Sequence, residues 1–275
     1  MFLQCGSFNL NLSRALVMGI VNVTPDSFYD GGHHVQRHAA LLHAHQLIEE
    51  GVDILDIGGE SSRPGANPIG VDEELDRIMP VIEGLHGVPV PLSVDTCKPE
   101  VMRFVLSAGV SMINDINALQ HPDALIAVVK SNAAVCLMHR PYPDQSIQQP
   151  HYGDVVAEVY QFLHERILFT QTAGIARERI LIDPGFGFGK SLVHNLSLLR
   201  YLDKFSDLGI PLLVGMSRKS MLGAITGHGV DGRIHASVAA ALLAVLKGAR
   251  VVRVHDVRAT VDALRVLNAV REMDL

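Results

Sequence analysis

One pattern recurs eight times along the 275-residue chain: a short apolar or β-branched run closes on polar or glycine residues, and an amphipathic stretch follows. The runs occupy 16–23, 52–57, 90–94, 111–116, 133–138, 179–182, 211–214 and 250–254. They are continuous rather than alternating, which is how parallel strands buried on both faces read. Between them, Leu41, Ala44 and Ile48 share one face, and Val101, Val105 and Ala108 another, the spacing of helices packed on one side. Gly51, Gly109, Gly174, Gly209 and Gly248 stand where helices should stop before the next strand. Eight such units predict a single α/β domain over 1–275, a (β/α)8 TIM barrel, a fold that runs near roughly 250 residues. An open doubly wound sheet would place a Gly-rich dinucleotide turn after the first strand, and the chain has Asn22-Val23-Thr24-Pro25-Asp26 there. Residues 1–13, with Gly6 in the middle, read as a short N-terminal hairpin capping the barrel bottom, and no linker or low-complexity run divides the chain.

With 48% apolar and 19% charged residues the chain can bury one large core. A net charge of −6 argues against general nucleic-acid binding but leaves room for a local basic pocket. No signal-peptide pattern opens the sequence: Arg14 is the first basic residue, and Gln4, Asn9 and Asn11 interrupt the apolar ones. The longest uncharged apolar stretch, 238–246, is about half a membrane span, so no membrane partner is expected. Cys5, Cys97 and Cys136 are widely spaced without a CxxC pair and read as small core residues in a reducing compartment, the cytoplasm.

Active sites of such barrels lie at the C-terminal ends of the strands. Those ends carry Asn22, Asp56, Asp95, Asn114-Asp115, His139, Asp183, Ser217-Arg218-Lys219, Arg253 and His255-Asp256. Any one of them could be a helix cap or a buried hydrogen bond, but the whole set points to a site. It divides by sign. Asp95, Asn114 and Asp183 supply acceptors for a ligand rich in N–H groups, whereas Lys219, Arg253 and His255 come from the last two strands, where barrels often bind phosphate. Asn22 offers a neutral oxygen suited to Mg²⁺, which keeps waters and takes phosphate oxygens. A flat amide-like heterocycle bearing a phosphate or diphosphate would satisfy both halves.

Two motifs mislead. Gly189-Lys190-Ser191 imitates the end of a Walker A loop, but Pro184 stands where that loop needs glycine. Five histidines between 33 and 45 lack a carboxylate or cysteine to complete a ligand set, so a solvated helix face is expected. The long loops after the first two strands, carrying Phe28, Ser62, Arg63 and Pro64, read as coverings that exclude water.

Seven segments together resemble one family. Met18-Gly-Ile-Val-Asn-Val-Thr-Pro-Asp-Ser-Phe28, Gly58-Gly-Glu-Ser-Ser-Arg-Pro-Gly65, Ser93-Val-Asp-Thr96, Ile113-Asn-Asp-Ile116, Asp183-Pro-Gly-Phe-Gly-Phe-Gly-Lys190, Gly215-Met-Ser-Arg-Lys-Ser220 and Arg253-Val-His-Asp256 look like dihydropteroate synthases, in order and over nearly the whole chain. The resemblance implies a folate-pathway transferase that joins 4-aminobenzoate to 6-hydroxymethyl-7,8-dihydropterin diphosphate, with Mg²⁺ as cofactor and a homodimeric assembly. It implies that Asp95, Asn114, Asp183 and Lys219 bind the pterin and that Arg253 lies against its ring. Asn22 would hold Mg²⁺, with His255 and Arg253 near the diphosphate. Arg63 and the Ser62 hydroxyl would engage that diphosphate. Phe28, Pro64 and Phe188 would line the aminobenzoate slot, with Ser220 at its carboxylate, and Gly187 would be a further substrate-binding position. Asp95, Lys219, Arg63 and Arg253 would carry the catalysis, by loss of diphosphate before attack of the amine. The chain departs from the family at Ser62, where threonine is usual, and in the loop after His139. A methyltetrahydrofolate methyltransferase of the same barrel type, which handles no diphosphate, and a non-catalytic pterin-binding paralogue are the alternatives. Leu242, Leu243, Val245 and Leu264 suit either a core or a dimer face.

Overall fold

The eight apolar runs form eight parallel strands, each burying one face toward the barrel axis and the other beneath helices. The computed structural model describes residues 1–23, 33–61, 67–141 and 152–272, with the backbone alone for 33–36. Its barrel strands are β3 (Leu16–Asn22), β4 (Ile54–Gly58), β5 (Leu92–Asp95), β6 (Met112–Asp115), β7 (Ala134–Met138), β8 (Ile180–Asp183), β9 (Leu212–Val214) and β10 (Ala249–Val254). They close in the order β10-β3-β4-β5-β6-β7-β8-β9. The expected barrel is therefore present, with strand bounds moved by one or two residues. Arg179, expected in the sixth barrel strand, instead ends a 3-10 turn (Arg177–Arg179). Its buried guanidinium donates to the carbonyls of Ala133 and Val128, both at 2.8 Å.

The helices are α1 (His33–Glu49), α2 (Val71–Gly84), α3 (Pro99–Ser107), α4 (Pro122–Val129), α5 (Val155–Thr172), α6 (Leu192–Arg200), α7 (Ser220–Thr226), α8 (Ile234–Leu246) and α9 (Val257–Arg271). One helix follows each strand except β9, which is followed by the short α7 and then α8. The five glycines expected as stops all have positive φ. Among the described residues no single helix is long and apolar enough to cross a membrane. The apolar character of α8 serves the barrel, because Ala240, Ala241, Ala244 and Val245 are buried against it.

β1 (Phe2–Cys5) and β2 (Phe8–Asn11) form the expected hairpin. Leu3, Cys5 and Leu12 are buried on an inner layer of Met18, Ile54, Met112, Leu181, Leu213 and Val251. Gly6 N–H donates to the Asn132 carbonyl at 3.2 Å and the Cys5 thiol to that of Ser111 at 3.3 Å. Both carbonyls just precede strands, so the hairpin plugs the N-terminal end of the barrel. Cys5 and Cys136 are core residues, but Cys97 is only half-buried; none is in a disulfide. His38 and His45 are exposed on α1, as a solvated face requires.

Two residues beyond that inner layer the same strands turn polar: Ile54 gives way to Asp56, Met112 to Asn114, Leu181 to Asp183 and Val251 to Arg253. Residues i and i+2 of a strand share a face. The barrel interior is thus an apolar layer on the plugged side and a polar layer at the C-terminal ends.

Candidate active site

The polar layer is organised by strand register. Asn22 lies beside Gly58, Gly58 beside Asp95 and Asp95 beside Asn114, across β3, β4, β5 and β6. One step below, Asp56 is fully buried and accepts three side-chain donors: Ser93 Oγ at 2.6 Å, Asn114 Nδ2 at 3.1 Å and Arg253 Nε at 2.6 Å. The other arm of the Arg253 guanidinium donates to Asp95 at 2.8 Å. Burial works against the Arg253 charge, but Asp56 and Asp95 outweigh it and hold the guanidinium above its ordinary range. Burial raises Asp95 to about 7, with Arg253 opposing and Asp56 adding to the rise.

Lys219 precedes α7 and turns back toward β8. Its ammonium donates to the Phe186 carbonyl and sits 4.6 Å above the Phe188 ring, and its stem passes where a Cβ on Gly187 would stand 3.4 Å from it. Burial lowers Lys219 to about 8, Asp183 opposing and Arg253 reinforcing. Asp183 in turn is raised by burial and lowered by Lys219, and its Oδ1 accepts the Gly185 N–H at 2.7 Å. Ser220 is exposed at the first position of α7. His255, just beyond β10, sits against Ser217, whose Oγ is 3.1 Å from its Nδ1.

The structure therefore brings Asp95, Asn114 and Arg253 into one hydrogen-bonded network around Asp56, and sets Lys219 beside Gly187 and Phe188, with the Asp183 charge acting on both Lys219 and Arg253. Asn22, His255 and Ser220 stand at the same end of the barrel. Phe28, Ser62, Arg63 and Pro64, and the loop after His139 from 142 onward, lie outside the described residues. Several strand-end polar groups serve structure alone: Asp115 accepts the N–H groups of Asn117 and Leu119, both at 2.8 Å, and Asp256 pairs with Arg218 at 2.6 Å. In the sequence Asp56 is visible as a carboxylate inside an apolar run but carries no assigned role. A buried aspartate in such a run must have partners, and that is the available signal.

A magnesium ion suits this end of the barrel on the chemistry of its donors. Among the described residues no group of three or more His, Cys, Asp or Glu could hold a metal alone. Asn22 Oδ1 borders the space left by Gly58, 3.9 Å from where a Cβ would be, and Asp95 flanks it on the other side. One neutral oxygen at the strand end fits Mg²⁺ that arrives with phosphate oxygens and keeps its waters.

His139 ends β7 beneath the site, its ring edge-on to Phe162 at 4.9 Å, and among the described residues its Nδ1 has no partner. Burial, then the nearby Lys190 charge, lower its pKa from 6.5 to about 3. Between those values the unfolded chain binds a proton that the folded chain does not, so stability rises with pH across that window and is lost on acidification. Unfolding free energies from urea titrations between pH 6.5 and 4 should fall by up to about 1.4 kcal/mol per pH unit through this residue, and His139→Gln should flatten the slope. An unchanged slope would show that the imidazole titrates normally.

The sequence profile of the family described as pterin binding enzyme matches residues 18–255. The chain is 49% identical over 263 residues to dihydropteroate synthase of Escherichia coli strain K12, covering 95% of this chain and 93% of that one. It is similar to Xanthomonas albilineans dihydropteroate synthase solved with 4-aminobenzoic acid, at 54% identity and a TM-score of 0.93, covering 98% of each chain. The same enzyme solved with 7,8-dihydropteroate gives 52% identity and a TM-score of 0.90, with 98% and 99% coverage. A polar layer of this composition at the open end of a barrel, together with likeness along nearly its whole length, places the chain in the pterin binding enzyme family, among the dihydropteroate synthases.

Proposed function

We propose that this transferase joins the amine nitrogen of 4-aminobenzoate to the methylene carbon of 6-hydroxymethyl-7,8-dihydropterin diphosphate, giving 7,8-dihydropteroate and diphosphate. The observation that carries the reading is the ring of acceptors Asp95, Asn114 and Asp183 with the cations Arg253 and Lys219 set among them. The acceptors suit the N–H edge of a pterin. Arg253 and His255, with Arg63 and Ser62 from the second loop, suit the diphosphate. Phe188, with Phe28 and Pro64, walls the aminobenzoate, whose carboxylate meets Ser220.

The C–O bond to diphosphate breaks first, and its electron pair leaves with the diphosphate. The carbon left behind is a cation delocalised over the pterin, and the fixed charge of Asp95 stabilises it without reorganisation. The arylamine lone pair then closes the C–N bond, and the nitrogen gives up its proton to water or to the released diphosphate. Water must be kept from the cation, which is the part given to the loops after β3 and β4. Asn22 would hold Mg²⁺, which when bound supplies charge neutralisation to the leaving diphosphate.

The same reading includes a single domain, a reducing cytoplasmic setting suited to three unpaired cysteines, and a homodimer. For the last, Val245 and Leu264 are core and Leu242 is partly buried, but Leu243 and Leu246 of α8 and Val266 and Val270 of α9 are exposed. Diphosphate release from the pterin substrate, assayed with and without 4-aminobenzoate and Mg²⁺, tests the activity. Release matched mole for mole by dihydropteroate supports it. No release with all components present would overturn it and reopen the methyl-transfer reading.

A further inference from the structure

Lys190 has no part in the chemistry above, yet it is buried at 8% exposure. It is the lysine whose Gly-Lys-Ser setting imitates a phosphate loop. Here its ammonium faces backbone, donating to the Gly185 carbonyl at 2.7 Å and to the His139 carbonyl at 3.3 Å. Burial lowers its pKa to about 7, with Asp183 opposing and Lys219 reinforcing. An apolar side chain would fill that space at lower cost, so the ammonium is retained for its two bonds.

Those bonds fasten one segment, 184–189, which leads from β8 to α6. It lies so close to the end of β7 that a Cβ on Gly185 would stand 1.9 Å from the His139 carbonyl oxygen, and φ there is +70°. Its far side is held by Asn195, which accepts the Gly187 N–H at 2.7 Å and donates to the Lys190 carbonyl at 3.0 Å. The segment so fixed delivers the Phe186 carbonyl and the Phe188 ring to the ammonium of Lys219.

We propose that Lys190 is a positioning residue: bonded to the Gly185 and His139 carbonyls, it fixes segment 184–189 and thereby seats Lys219 for pterin binding. The proposal rests on reading Lys219 as a pterin ligand, and the test separates the two. Binding of 6-hydroxymethylpterin to the full chain is measured by calorimetry for wild type, Lys190→Met, Lys219→Met and the double variant. Each single change should weaken binding about tenfold or more, and the double variant should be no more than about twofold worse than Lys219→Met, because residues acting through one contact are not additive. Gly185→Ala keeps both ammonium groups but pushes the segment off His139, and should give a similar loss, again without additivity to Lys219→Met. Circular dichroism checks folding, and if Lys190→Met does not fold, Lys190→Leu, which likewise lacks a donor, carries the same cycle. Wild-type affinity in a folded Lys190 variant, or additive losses, would overturn the proposal alone. Wild-type affinity in Lys219→Met would overturn the pterin reading and the proposal with it.

Discussion

Asp95→Asn should lower kcat/KM by about two to three orders of magnitude while leaving the melting temperature nearly unchanged, the size seen when a preorganised electrostatic contact is removed from a reacting centre. The amide fills the same space, and Arg253 keeps its 2.6 Å bond to Asp56, so the barrel interior loses little. What disappears is a fixed negative charge beside the carbon that becomes cationic. The variant should also lose a pH limb. Burial raises the Asp95 carboxyl to about 7 against the pull of Arg253, so below that value the wild type gains a proton on the group that must be anionic, and its rate falls. The amide variant has no such group, and its residual rate should be flat on the acid side. Rates of diphosphate release and of condensation, followed from pH 5.5 to 8, decide this. Wild-type rates in the variant would remove Asp95 from the chemistry.

The barrel is legible because parallel strands buried on both faces leave continuous apolar runs, and the polar residues that close each run mark the open end. Asp95, Asn114, Asp183 and Arg253 were found that way. The change of layer along one strand face is also visible in those runs: Ile54 before Asp56 and Val251 before Arg253 are an inner apolar residue followed by an inner polar one. What the pattern does not contain is pairing. Arg253 and Asp56 are 197 positions apart, and only barrel closure, which sets β10 against β3 and β3 against β4, brings them within 2.6 Å. Lys190 is left without a role in the sequence for a related reason. Its partners are carbonyl oxygens, which every residue carries, and no side-chain motif announces which two will be within reach. The short helix α7 escaped because seven residues, Ser220–Thr226, are too few to show a helical stripe before Gly227 ends them at φ +75°.

The second large effect belongs to Asp56, and it should appear first in stability. Asp56→Ala leaves the Ser93 hydroxyl and the Asn114 amide without their acceptor and deprives the Arg253 guanidinium of one of its two carboxylates. Breaking a buried charge pair from one side costs about 3–5 kcal/mol, much of it from the charge left behind. For a chain of this size that is a fall in melting temperature of about 10 °C. Asp56→Asn keeps the volume and one acceptor but not the charge, so it should lose part of that stability and most of the activity, because a neutral oxygen holds Nε less firmly while the other arm of Arg253 leaves Asp95 for substrate. The pairing account makes a sharper demand on the double variant Asp56→Asn with Arg253→Met. Removing both charges should restore most of the melting temperature and none of the activity. A purely steric role for Asp56 predicts the opposite for stability, since a second core change would add to the first. Scanning calorimetry of the two single variants and the double one separates these outcomes, and an additive loss in the double variant would refute the charge-pair role of Asp56.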